Sequence, residues 1–90
     1  MTDSEKKLLD NVLDGLDRLF DSESSTPDLQ ALIFATSKAL SNTKYFAILE
    51  STANSLEMVL RSRLNAADER IEALKVTDEL RIFLVGILDF

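Results

Sequence analysis

Apolar residues along this chain recur at helical rather than strand spacing. Leu8, Leu9, Val12, Leu13, Leu16, Leu19 and Phe20 step by three and four, laying one stripe along a first helix. In front of it, Thr2-Asp3-Ser4-Glu5 has the spacing of a capping box, in which the hydroxyl accepts the N–H three residues on and the glutamate reaches back. A helix is therefore expected to start near residue 3. Asp21-Ser22-Glu23-Ser24-Ser25 holds no apolar side chain and reads as a loop. Thr26-Pro27-Asp28 reopens the helical pattern with a hydroxyl cap, a proline at the first position and an acid in the first turn. This second helix is expected over 27–41, with Leu29, Leu32, Ile33, Thr36 and Leu40 inward and Phe34 on a neighbouring face. Ala35 and Ala39 are small enough to allow close helix approach.

Ser41-Asn42-Thr43 is a polar break able to cap a third helix, in which Tyr45, Phe46, Leu49, Ala53, Leu56, Val59, Leu60 and Leu64 keep helical spacing. Leu49, Ala53, Leu56, Leu60, Leu64, Ala67, Ile71 and Leu74 step by 4, 3, 4, 4, 3, 4 and 3, close to a coiled-coil seam. The third helix is expected to be the longest of the set, and the spacing leaves open whether it stops at Asn65 or, as the seam favours, runs on through it with a kink. Val76-Thr77 followed by Asp78-Glu79 looks like a fresh cap with two first-turn acids, so a last helix is expected from about residue 78. From Leu80 to Phe90 that helix is apolar almost all round. The fold class is all-α: an up-down bundle of three long helices closed by a short apolar C-terminal one, a single domain over 1–90.

Composition narrows the function. With 46% hydrophobic and 29% charged residues the chain lies in the globular range, and two glycines and one proline are too few for a hairpin-built β fold. The absence of Cys and His removes disulfides, thiolate nucleophiles, imidazole acid-base chemistry and the usual zinc and haem ligands. A non-catalytic role without cofactor or metal is the expectation. Sixteen acids against ten bases leave a net charge of -6, which repels nucleic acid and anionic lipid and favours a basic protein partner. The start of the chain lacks the basic residues and apolar run of a signal peptide, and Ile82 to Val85 is far shorter than a membrane span. No membrane insertion and a cytoplasmic location are expected.

Asp3, Asp10, Asp14, Asp17 and Asp21 step by 7, 4, 3 and 4, which aligns five carboxylates along one edge of the first helix. Aspartate is a poor helix former and like charges four apart repel, so a surface with no task beyond solubility would more readily mix Glu with Lys. The edge is either a solvated face or a docking strip for a basic partner built from Asp10, Asp14, Asp17 and Asp21. A cation site is disfavoured, because Asp14-Gly15-Leu16-Asp17 lacks the ligand spacing of a calcium loop. Arg61, Arg63, Arg70 and Lys75 form the most basic stretch, but Asp68, Glu69 and Glu72 interrupt it, which points to ion pairs within a helix. In the last helix, Leu80, Ile82, Phe83, Leu84, Val85, Ile87, Leu88 and Phe90 cover more than the ~100° arc that one side of a bundle can hide. Some must face outward, so a homodimer through Phe83, Ile87 and Phe90, or a groove for a partner helix, is expected.

Two resemblances bear on these alternatives. The order of features, from an amphipathic opening helix at Glu5–Phe20 through Leu29–Leu40 and the break Ser41-Asn42-Thr43-Lys44-Tyr45 to Leu49–Leu64, is similar to the small bacteriocin immunity proteins of the enterocin-immunity type. That resemblance implies a four-helix bundle with an extended third helix, and an immunity, antitoxin or chaperone-like role. A homo-oligomeric structural protein is the alternative reading. Separately, Ala53-Asn54-Ser55-Leu56-Glu57 resembles the phosphopantetheine attachment site of acyl carrier proteins, although Asn54 stands where the family has Asp and helical periodicity puts Ser55 inside a helix.

Overall fold

Three of the four helices begin where a side chain accepts a free first-turn N–H, and the third, from Phe46, starts without one. The computed structural model describes residues 1–88: α1 (Asp3–Phe20), α2 (Thr26–Ala39), α3 (Phe46–Arg61) and α4 (Ala66–Leu88), with no strand among the described residues. Thr2 caps α1 in a complete capping box, its Oγ1 accepting from Glu5 N–H at 3.1 Å while Glu5 Oε1 accepts from Thr2 N–H at 2.9 Å. The second cap sits one residue earlier than expected. Ser25 rather than Thr26 accepts from Asp28 N–H, which puts Thr26 inside the helix and buries it. Asn65 opens α4, its Oδ1 accepting from Asp68 N–H at 2.8 Å, with Asp68 and Glu69 in the first turn where the helix dipole favours acids.

The helices form a closed ring. α1 packs against α2 and α4, α3 packs against the same two, and of the diagonals α2 and α4 approach more closely than α1 and α3. Leu19 and Phe20 of α1 meet Arg70 of α4, and Asp17 meets Arg81, so numbers fall along one helix as they rise along the other and the two are antiparallel. At the centre lie Leu9, Val12, Leu16 and Leu19 of α1, Leu29 and Ile33 of α2, Leu49, Ala53 and Leu56 of α3, and Ala73, Leu80, Leu84 and Leu88 of α4. Close approach of α1 and α2 occurs at Gly15, not at Ala35 and Ala39, which are exposed. A Cβ at Gly15 would stand 2.9 Å from Leu32 Cδ2 and 3.2 Å from Leu29 Cδ1.

The last two helices divide the chain differently from the sequence expectation. α3 stops at Arg61 and the chain turns over 62–65, whereas α4 passes straight through Val76-Thr77 and, at 23 residues, is the longest helix. The coiled-coil-like seam is thus two unrelated stripes: Leu49, Ala53 and Leu56 are buried, while Leu64, Ala67 and Ile71 are exposed. Thr77 starts nothing because its hydroxyl donates to Ala73 C=O at 2.8 Å within the helix, which satisfies it where it is buried. The turns after α1 and α3 each use a left-handed residue that is not glycine, Ser22 (φ 62) and Arg63 (φ 54). After α1 the bonds Ser22 N–H to Leu19 C=O and Glu23 N–H to Arg18 C=O complete a Schellman motif.

Candidate functional site

The aspartate edge of α1 is real, but its carboxylates are mostly engaged. Asp10 Oδ2 lies 3.5 Å from Lys6 Nζ and Asp14 Oδ2 lies 3.1 Å from Arg18 Nη2, both along α1. Asp17 Oδ1 lies 2.6 Å from Arg81 Nη1 of α4, an ion pair outside hydrogen-bond alignment. Asp21 is exposed at the end of α1, where its backbone N–H donates to Asp17 C=O. The four are therefore not one surface: Asp14 opens towards α2, Asp17 is tied to α4, and Asp10 keeps one oxygen buried without a hydrogen-bond partner among the described residues.

Asp14 leads into an open depression between α1 and α2. An open cleft of about 790 Å³ runs between the C-terminal half of α1 and the start of α2, floored by Gly15, Leu29 and Leu32. Its walls carry Asp14, Glu23 and Asp28 with Arg18 and three serines, Ser22, Ser24 and Ser25. Arg18 pairs with Asp14, which leaves the charges of Glu23 and Asp28 uncompensated by any ion pair among the described residues. Glu23 and Asp28 escaped sequence reading because they belong to a different periodic segment from the strip. Only the five-residue turn that folds α2 back along α1 brings the two groups together.

A second feature lies on the outer side of α4. Phe83 and Ile87, expected to self-associate, are part-buried and packed against the core, and the Phe83 ring meets that of Tyr45 at 6.3 Å. Phe90 lies outside the described residues. The apolar side chains turned outward are Ile71 (49% exposed), Ile82 (65%) and Val85 (47%), and beside them Phe20 of α1 is 62% exposed with the Arg81 guanidinium over its ring. Ile71, Leu74, Lys75 and Asp78 line a shallow open groove on this side, and Asp78 also borders a smaller one with Leu16, Phe20, Leu74, Thr77 and Arg81.

The basic stretch behaves as expected in part. Arg61 pairs with Glu57 at 2.8 Å and Lys75 with Glu72 at 3.6 Å along their own helices. Arg70 does something else: its Nη2 donates to Phe20 C=O and its Nε at 3.2 Å to Leu19 C=O, which Ser22 N–H also bonds, so α4 helps to cap the end of α1. Its distance of fifty residues from those carbonyls hides that role in the sequence. Ser55 stands in the middle of α3, half-buried, rather than at a helix start. Among the described residues no three metal-ligating side chains converge and no helix is long and apolar enough to cross a membrane. Compared with known proteins, the chain matches no family model, no curated protein and no solved structure.

Proposed function

We propose that this protein is a non-catalytic interaction module that binds a basic protein partner, and that the partner's lysine or arginine side chains enter the cleft between α1 and α2. The observation that carries this reading is the charge of the cleft: three carboxylates against one guanidinium, with the guanidinium already paired to Asp14. An incoming cation meets Glu23 and Asp28 without first breaking an ion pair, and the serine hydroxyls accept its remaining hydrogen bonds. The leucine floor takes the methylene stem of a lysine or arginine. A residue inventory without Cys or His supports a binding rather than a catalytic task. The likeness in order of features to bacteriocin immunity proteins points to the same class, an immunity or antitoxin-like neutraliser, although the extended third helix that it implies is not found, since α3 ends at Arg61 and α4 is the longest helix.

Titration with a lysine-rich peptide, followed through backbone amide NMR, tests the reading. Shifts are expected at Asn11, Asp14, 22–26 and Asp28, weakening as ionic strength rises. Glu23→Gln with Asp28→Asn is expected to remove them while leaving the fold intact, since both side chains are exposed. Shifts scattered over the whole acidic surface, or unchanged in the double variant, would overturn the assignment.

A further inference from the structure

The outer face of α4 carries a pattern that the cleft does not explain. Ile71, Lys75, Asp78 and Ile82 step by 4, 3 and 4, lie on one stripe of the helix, and point away from the buried Ala73, Thr77, Leu80 and Leu84. The order apolar, cation, anion, apolar is its own complement when reversed. If two copies of α4 lie antiparallel about a two-fold axis between Val76 and Thr77, Ile71 faces Ile82 of the second copy and Lys75 faces Asp78. These are the layers of an antiparallel coiled coil, in which each seam position meets its opposite number. A parallel pairing would instead set Lys75 against Lys75 and Asp78 against Asp78.

We infer that this face binds a second copy of the chain, α4 against α4 and antiparallel, with Lys75 and Asp78 forming the two central ion pairs. Phe20, standing beside Asp78 and Arg81, widens the apolar area at the middle of the contact. Lys75 already lies 3.6 Å from Glu72 of its own helix, an exposed pair weak enough for the ammonium to be shared with Asp78 of the second copy. The next layer outward would oppose Val85 to Asp68, which marks the end of the seam. Contact over Ile71 to Ile82 is ~17 Å of helix, a short seam, so the dimer is expected to form reversibly and only at high protein concentration. This surface is separate from the cleft, and the inference stands or falls apart from the basic partner.

Sedimentation across a series from ~10 to ~500 µM at low salt is expected to show monomer at the bottom and dimer growing at the top. Lys75→Asp and Asp78→Lys, made singly, set like charges across the axis and are expected to weaken association at least ~10-fold. The variant carrying both exchanges restores opposite charges and is expected to return to within ~3-fold of the parent. Ile82→Ser, at an exposed position, is expected to abolish association, with far-UV circular dichroism confirming that the helices remain. A parent chain monomeric at ~500 µM would overturn the inference, as would single exchanges that leave association unchanged or a double exchange that fails to rescue it.

Discussion

α1 and α4 lie against each other in the same bundle, yet they meet the core by different means. In α1 every strongly apolar side chain from Leu9 to Leu19 is buried and the opposite edge is aspartate, so the pattern leaves one possible orientation. In α4 the buried side is Ala73, Thr77, Leu80, Leu84 and Leu88, while Ile71, Ile82 and Val85 are just as apolar and face out. Hydrophobic pattern orients a helix only where polar residues occupy the other face. Elsewhere the neighbours choose, and in α4 the choice is made by Leu80, Leu84 and Leu88, which join the common core with Leu9, Leu49 and Leu56, and by Arg70 and Arg81 reaching over to α1.

The largest test of that contrast compares adjacent residues of α4. Leu84→Ala is expected to cost ~2–5 kcal/mol, a large part of the total stability of a small domain, whereas Val85→Ala should change stability by less than ~0.5 kcal/mol. Urea denaturation measures both, and equal effects would mean that the helix is rotated. Arg70→Met comes next, with an expected loss of ~1–2 kcal/mol, because two carbonyls at the end of α1 lose a charged donor while the apolar stem is kept. Amide exchange should quicken at the last turn of α1 in that variant more than in α3.

The glycines sharpen the same comparison. Gly86 has open space where a Cβ would go, so Gly86→Ala should raise stability by ~0.5–1 kcal/mol through helix propensity. At Gly15 the same exchange makes the ends of Leu32 and Leu29 give way, so a smaller change in thermal midpoint than at Gly86 is expected despite the same propensity gain. The smallest effect concerns the aspartates. Asp17→Asn breaks the ion pair to α4 and should cost ~0.5 kcal/mol, while Asp10→Asn removes only a long pair to Lys6 and should be neutral within ~0.3 kcal/mol. A double-mutant cycle of Asp17 with Arg81 measures the first directly.

The elements with local signals were readable in the sequence: the box at Thr2–Glu5, the stripe of α1, and the proline-marked start of α2. The α3–α4 boundary was not, although Asn65 with Asp68 three residues on is a cap in plain view. An apolar series from Leu49 to Leu74 ran across it, and spacing alone does not reveal that its two halves face different ways. The site was half readable for a similar reason. Asp14 belongs to a visible periodic strip, whereas Glu23 and Asp28 join it only through the chain reversal, and Arg70 and Arg81 are defined by which helix stands next to which.

The Arg70 cap also bears on the order in which the molecule assembles. It closes a segment of 51 residues, from Leu19 to Arg70, while α2 and α3 meet across the short link after Ala39. Loop closure for the longer segment costs about 2 kcal/mol more in chain entropy than for the link of six residues, 40–45. The α2–α3 hairpin should therefore be formed in the folding transition state and the α1–α4 junction left for the descent from it. In stopped-flow chevrons, Leu49→Ala would then slow refolding, whereas Arg70→Met would leave refolding unchanged and speed unfolding alone. The guanidinium so placed acts as a latch on the native state's lifetime.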